Sequence, residues 1–587
     1  MRQRHWPASR AALIGIAVAT AMAGATTAWA AAGPTPGGGA PTAQVTPPYS
    51  PKHAAAQAPD QGTLAAAGRP GWAAGTRAYF VLSAPGDVAA AKKAVTDNGG
   101  TVFASYDSIG VQVAHSAGTG FAAAVRGVAG VQKVGATRTS DVPAAAYDPA
   151  VPASPSQQAT TKEEKVLWDM SMIGADKAWA SYQGSADVTV GVLDTGVDDQ
   201  HQDLKPNFDA ARSVSCAYGK ADTRAGAWRP VDRHGTHVAG TIAAAKNGKG
   251  VVGVAPGVKV ASVRVAEPEV GNLFFPENTV CAFLWAADKG IKVTNNSYYT
   301  DPWLFNCPND PDQDAILEAS KRAVAYAENK GVVTIAAAGN ESYNLADKKS
   351  DSKSPDDSKA VTRTVTNDCL QIPGELPGVV SVSSLGEQRN KASYSNYGTG
   401  KIQVTAPGGT YGVTSTLPGG TYGDLTGTSM ASPHVAGVAA LLVSKNPGLS
   451  PADVRSRLAQ QATDLGCQQS DFGCTGTAAV NNFYGEGIVD ALKAVGGTSP
   501  SPSPSPSPSP STSPSPSPSP TVGPTTGPTT PPGSCTVAAW TGTKFYWSGD
   551  QVSHNGRKWT ASQPSYNRAP GTTDPWGGSP WQDNGAC

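Results

Sequence analysis

Gly427-Thr428-Ser429-Met430-Ala431-Ser432-Pro433-His434-Val435-Ala436-Gly437 sets one hydroxyl among small residues and runs straight into the apolar Val438–Val443. The apolar part predicts a buried helix that stops at Asn446-Pro447-Gly448. Gly427 permits a tight entry. Pro433 has no amide hydrogen to lose and a fixed φ, so it is expected in the first helical turn. A serine at a helix N-terminus sits where N–H groups point outward and the dipole favours negative charge. An oxyanion can form there beside a nucleophile. A plain N-cap is the other reading of Ser429, and this stretch alone does not choose between them.

Upstream of it, apolar strands alternate with helices. Val188–Asp194 (V-T-V-G-V-L-D) reads as a buried parallel strand, and Gly235–Lys246 as a helix. Further strands follow at V-K-V-A-S-V-R-V, I-K-V-T-N-N-S, V-V-T-I-A-A-A and V-V-S-V-S-S, with helices over 279–289 and 314–329 between them. Such alternation predicts an α/β domain with a mainly parallel sheet covered on both faces, over residues 165–497. Asp194 closes the first strand, where an open α/β sheet binds its ligands. His234 opens a helix in R-H-G-T-H-V-A-G. A carboxylate, an imidazole and a hydroxyl are the three roles that nucleophilic hydrolysis needs. His237 and His434 are competing imidazoles, and Asp198, Asp199 and Asp203 competing acids. The two histidines three apart also suggest a metal, but no third ligand motif accompanies them.

D-T-G-V, H-G-T-H-V-A-G and G-T-S-M-A-S-P-H-V-A-G, in this order, resemble the subtilisin family of serine proteases. The resemblance implies a three-layer catalytic domain acting on polypeptides, in which Asp194 orients, His234 is the base and Ser429 the nucleophile. It assigns the oxyanion hole to Asn340 and the Ser429 amide. Substrate would run along Ser297, Tyr298 and Tyr299, with Ala336, Ala337, Ala338 and Gly339 forming the other pocket wall. Tyr298 and Tyr299 depart from the family pattern and are expected to narrow the channel. Asp203 and Asn247 match two ligands of a structural calcium site, with Glu164 as a third and carbonyls of the 245–251 loop beside them. No organic cofactor is implied.

Either side of this domain the composition changes. Residues 1–30 have Arg2, Arg4 and Arg10, an alanine-rich apolar core and Ala28-Trp29-Ala30, as in a cleaved signal peptide of a secreted protein. The Ala/Gly/Pro-rich segment 31–74 is expected to be disordered. Residues 75–142 read β-α-β-β-α-β, a ferredoxin-like order. Its place resembles that of a subtilisin propeptide, which implies an inhibitor and folding chaperone. Residues 143–164 would be the processing tether. A Ser-Pro spacer, 498–534, leads to an aromatic-rich tail, 535–587. That tail resembles carbohydrate-binding modules of families 5 and 12, which implies a β-rich anchor on chitin, cellulose or cell-wall polysaccharide. Trp547, Tyr566 and Trp576 would be its platform, and Trp540, Tyr546 and Trp559 its core.

The chain has 587 residues and zero formal net charge, which gives no argument for nucleic acid or an anionic membrane surface. No segment after the signal is apolar enough to span a bilayer. Its 8 cysteines suit an extracellular scaffold. Cys467–Cys474 and Cys535–Cys587 are expected bridges. The other four allow three pairings, of which Cys307–Cys369 with Cys216–Cys281 is the one adopted. The sequence thus points to a secreted serine endopeptidase held on a polymer. Two alternatives are a precursor-processing subtilase of narrow specificity and a catalytically idle polysaccharide-binding adhesin.

Overall fold

The computed structural model describes residues 72–143, 164–468 and 471–498, and in the tail 537–541, 545–546, 551–561, 565–566, 569–572, 579 and 581–586. The signal peptide, most of the 31–74 segment, the interior of the 143–164 tether and the spacer beyond 498 lie outside the described residues.

The N-terminal domain runs β1 (Arg77–Leu82), α1 (Ala89–Asp97), β2 (Thr101–Tyr106), β3 (Val111–Ser116), α2 (Phe121–Arg126) and β4 (Lys133–Ala136). Its sheet has the order β2-β3-β1-β4, antiparallel throughout. Alternation along β1 buries both faces of this sheet. Tyr79 and Val81 pack against α1 and α2, while Phe80 and Leu82 join a core shared with the large domain.

In the large domain the order is β5 (Thr189–Asp194), β6 (Val214–Ser215), α3 (His234–Ala243), β7 (Lys259–Arg264), α4 (Pro276–Asp288), β8 (Val293–Asn296), α5 (Pro311–Asn329), β9 (Val333–Ala337), β10 (Val379–Leu385) and β11 (Val404–Pro407). A hairpin, β12 (Val413–Leu417) and β13 (Thr421–Leu425), then leads into α6 (Thr428–Lys445). Seven of these strands form one parallel sheet in the order β11-β10-β9-β8-β5-β7-β6. Val190, Val192 and Ile335 face the layer of α3 and α6. Leu193, Ala261 and Val263 face that of α4 and α5. The three-layer α/β architecture is the one the alternation predicts. Register aligns Asp194 with Arg264 and Leu193 with Asn296, which aligns in turn with Ala336. Asp194, Asn296-Ser297 and the chain after Ala337 therefore leave the sheet at one edge.

One reading of α6 falls away and one expectation changes. Gly427, at φ +154°, is the residue before the helix, so Ser429 lies inside the first turn and is not its N-cap. Pro433 falls in the second turn, within the helix. A proline there cannot bond the carbonyl four residues back. That carbonyl belongs to Ser429, and it accepts the Ser297 hydroxyl instead, at 2.9 Å.

Cys216–Cys281 ties a loop to α4, Cys307–Cys369 and Cys467–Cys474 tie loops of this domain, and no free cysteine remains among the described residues. Cys535–Cys587 falls outside them. In the tail, strands 551–554, 557–561 and 581–586 form an antiparallel sheet. Trp540 and Trp559 pack on its Val552, Ala561 and Trp581. Trp547 and Trp576 lie outside the described residues, and Tyr566 is described only as a strand residue opposite Phe545. Among the described residues no helix is long and apolar enough to cross a membrane.

Candidate active site

The parallel register delivers Asp194 to the edge of the sheet, and α3 begins at His234 directly above it. His234 Nδ1 lies 2.8 Å from Asp194 Oδ1, with both side chains fully buried. Two neighbours fix this entry. The Asp232 carboxylate accepts the His234 N–H at 2.8 Å, and Thr195 Oγ1 accepts the Gly235 N–H at 2.9 Å. A Cβ on Gly235 would come within 2.4 Å of the Gly196 carbonyl and 3.2 Å of Asp194 Cβ, so only glycine lets the helix approach this closely. Burial alone pushes the His234 pKa down. The Asp194 charge and hydrogen bond, with Asp232 behind them, outweigh it, and the net pKa is raised above the ordinary imidazole value.

His237, one turn on, shows the opposite balance. Its Nε2 meets the Val413 carbonyl at 2.8 Å, and burial brings its pKa down to about 3. It stays neutral and is spent on the β12 backbone. His434 is also structural, its Nδ1 on the Met430 carbonyl at 2.8 Å and its Nε2 on Asp169 at 3.1 Å.

Ser429 is nearly buried, at 4% exposure. Its hydroxyl donates to the Ser297 carbonyl at 3.1 Å, so Ser297 and Ser429 exchange two hydrogen bonds across the edge. Behind them Ser432 Oγ donates to Asn295 Oδ1 (2.7 Å), and Asn295 Nδ2 donates to Ser297 Oγ (2.9 Å).

Asn340 follows β9 through Gly339, whose φ of +100° is the left-handed turn that favours glycine. Its side-chain oxygen accepts both the Thr428 N–H and the Thr428 hydroxyl at 2.9 Å. Thr428 Oγ1 also accepts the Gly339 N–H at 3.1 Å. These bonds consume the acceptor end of the amide and leave Nδ2 as the end that can donate toward Gly427, where an added Cβ would lie 3.4 Å from it. Thr428 and Asn295 were not among the sequence candidates. Thr428 could have been found from its place beside the serine in G-T-S-M. Asn295 carries no local signal.

Tyr298 and Tyr299 are both held by contacts within the domain. The Tyr298 ring is buried and stacked on Phe274 (centroids 4.8 Å apart), with its hydroxyl on Asn296 at 3.0 Å. Tyr299 is half-buried and donates to Asp356 at 2.9 Å. Phe274 offers Tyr298 a face for stacking. Ala336, Ala337 and Ala338 are buried along the same edge.

Asp203, Asn247 and Glu164 also converge, around the 246–251 loop. Asn247 Nδ2 is 3.1 Å from Asp203 Oδ1, and Glu164 accepts the Gly248 N–H at 2.7 Å. A Cβ on Gly250 would come within 2.4 Å of Asp203 Oδ2 and 2.0 Å of the Tyr422 hydroxyl, so the loop and Tyr422 close over that carboxylate. Two carboxylates and an amide are oxygen donors of the kind calcium takes, and in this respect the residues fit it. Opposing it, Lys246 Nζ lies 3.3 Å from Glu164 on a 42% exposed side chain that can turn to water. No cluster of three His, Cys, Asp or Glu side chains suited to a metal occurs among the described residues.

Comparison with known proteins follows the same outline. Residues 185–487 match the model of the Subtilase family. Subtilisin DY of Bacillus licheniformis is 35% identical over 331 residues, 56% of this chain and 99% of that protein. An alkaline protease of Alkalihalobacillus alcalophilus is 32% identical over 355 residues, 60% of this chain and 76% of its own. Among solved structures, the epidermin leader peptide processing serine protease of Staphylococcus aureus aligns with a TM-score of 0.55 at 22% identity. It covers 72% of this chain and 99% of that one, a likeness of fold.

Proposed function

The chain belongs to the subtilase family and is a serine endopeptidase of the subtilisin type; from this premise we propose that it hydrolyses polypeptides through Asp194, His234 and Ser429 by way of an acyl-enzyme. The observation that carries the reading is the buried Asp194–His234 contact at the sheet edge where Ser429 opens α6. Asp194 holds the Nδ1–H tautomer and stabilises the imidazolium once it forms. Ser429 Oγ turns from the Ser297 carbonyl toward His234 Nε2, gives up its proton there and attacks the substrate carbonyl. Negative charge gathers on the carbonyl oxygen, and the Ser429 N–H and Asn340 Nδ2 donate to it. His234 then passes the proton to the leaving amine. Water repeats the sequence on the ester and frees Ser429.

Secretion, residues 75–142 as the propeptide and the tail as a polysaccharide anchor belong to the same reading. The three disulfides and the buried seat of the N-terminal domain on α4 and α5 support the first two. Retention of the tail on chitin, cellulose or cell wall tests the third. Calcium, held by Asp203, Asn247, Glu164 and loop carbonyls, would supply positive charge that locks the loop, with no part in the reaction.

A phenylmethylsulfonyl label tests the mechanism. It is expected on Ser429 and expected to be lost in His234→Ala; labelling elsewhere, or labelling that survives this change in a folded protein, overturns the assignment.

A further inference from the structure

Arg138 follows β4 and precedes the tether, yet its side chain is only 2% exposed. It is sunk into the large domain. Nη1 and Nη2 lie 3.0 and 2.9 Å from the two oxygens of Glu267, and Nε lies 3.0 Å from Glu277, which Nη2 also meets. The Phe275 ring lies flat against the guanidinium, its centroid 3.7 Å from Cζ. Both carboxylates are essentially fully buried, and Glu277 Oε2 has no hydrogen-bond partner. The large domain builds this cup itself, since Asn278 Nδ2 holds Glu267 Oε1 at 2.9 Å and the Val265 carbonyl at 3.0 Å.

The cup belongs to the reaction edge. Val265, whose N–H bonds the Asp194 carbonyl at 2.9 Å, precedes Glu267 by two residues. Phe274, beside Phe275, stacks on Tyr298, the neighbour of Ser297. Two buried carboxylates without a cation are costly, and breaking a buried pair leaves that cost uncompensated. Arg138 lies in the segment whose removal the propeptide reading requires, so maturation would empty the cup while the carboxylates stay.

We propose that the Glu267–Glu277 cup is an arginine subsite of the peptidase, filled here by Arg138 and, after release of the N-terminal domain, by an arginine side chain of a polypeptide substrate some residues ahead of the cut. A planar fork matches the geometry and a lysine ammonium does not: one carboxylate takes two parallel N–H groups, a second takes the remaining edge, and an aromatic ring covers the plane. Arg264 is held by Ser215 through Nε and Nη2. The proposal rests on the endopeptidase reading above and adds a side-chain preference to it.

The test is a map of cut sites made by the secreted, self-activated protein on a denatured proteome. It is followed by paired synthetic peptides with arginine or its neutral isostere citrulline at the enriched position. Arginine should be enriched at one fixed position before the cut, and kcat/KM should favour it over citrulline by ~10- to 100-fold, as for a charged hydrogen-bonded group lost from a buried site. In a Glu267→Gln, Glu277→Gln chain the arginine/citrulline ratio should collapse toward one. Should that chain fail to mature, Glu277→Gln alone should lower the ratio. Cleavage without arginine enrichment, or a ratio unmoved by the substitutions, overturns the subsite and leaves the peptidase standing. Absence of any cleavage overturns the peptidase reading instead.

Discussion

Two buried imidazole–carboxylate pairs sit in this molecule with nearly the same local chemistry. His234 meets Asp194 at 2.8 Å and His434 meets Asp169 at 3.1 Å, and all four side chains are fully buried. Their settings differ. His434 lies within α6, one nitrogen on a carbonyl of its own helix, the other on a carboxylate from the segment before the sheet. Both nitrogens hold the chain together. His234 opens α3 at the edge where the parallel strands end and where Ser429 and Asn340 also arrive. A buried His–Asp pair is therefore no signature of catalysis by itself. Its place on the sheet, where an open α/β sheet binds its ligands, is what sets the proposed base apart from the strut.

The sharpest way to break this comparison is to remove each imidazole in turn. His234→Ala should lower kcat by about 10⁶ per folded molecule, a magnitude measured for the triad of a subtilisin. His434→Ala should leave Asp169 without its donor and cost about 1–3 kcal/mol of stability, measured by denaturant unfolding, while the folded fraction still takes the Ser429 label. If loss of His434 abolished labelling of folded protein, the two pairs could not be told apart by position. A smaller effect is expected from Asn340→Ala, about 10²–10³ in kcat with KM little changed, the size found for the equivalent donor in a subtilisin.

Much of this was legible in the chain. The strand–helix alternation from Val188 to Lys445 carries the three-layer fold, because fully buried parallel strands must be apolar on both faces, as V-T-V-G-V-L-D nearly is. The members of the proposed triad could be picked out because each sits in a local motif. Less legible was whatever depends on distant partners. Pro433 looked like a helix-start proline, and only the meeting of α6 with the Ser297 strand shows why it stands a turn further in. The stack of Tyr298 on Phe274 has no signal near it in sequence. Arg138 carries no local signal, since its two carboxylates lie more than a hundred residues away.

Titration sharpens the comparison within α3 itself. The His234 pKa is raised, so protonation should shut off kcat/KM along an acid limb whose midpoint lies above the ordinary imidazole value of about 6.5. His237 is depressed to about 3. Between about 6.5 and 3 the unfolded chain binds a proton that the folded chain refuses. Stability from this residue is thus complete above about 6.5 and is lost as pH falls toward 3. His237→Gln, which keeps an amide donor for the Val413 carbonyl, should flatten the melting temperature across that window and leave the acid limb of the rate where it was. Displacement of the limb by this change would mean that the assignment of base and strut is reversed.

The smallest effect concerns a third buried carboxylate. Asp194 and Asp169 each take an imidazole, whereas Asp203 takes the Asn247 amide, the Tyr422 hydroxyl (2.8 Å) and the Val251 N–H (3.2 Å). These are neutral donors, and a full negative charge at 0% exposure is poorly balanced by them alone. A cation held beside Asp203 would complete the balance. Saturation at about a hundredfold over Kd is worth about 2.7 kcal/mol. Chelation of the native protein should therefore lower its melting temperature by several degrees, and added calcium should restore it. Asp203→Asn removes the charge that needs balancing, so its melting temperature should be lower from the start and indifferent to chelator. An unchanged native melting temperature under chelation would mean that the neutral donors, with Lys246 on Glu164, suffice.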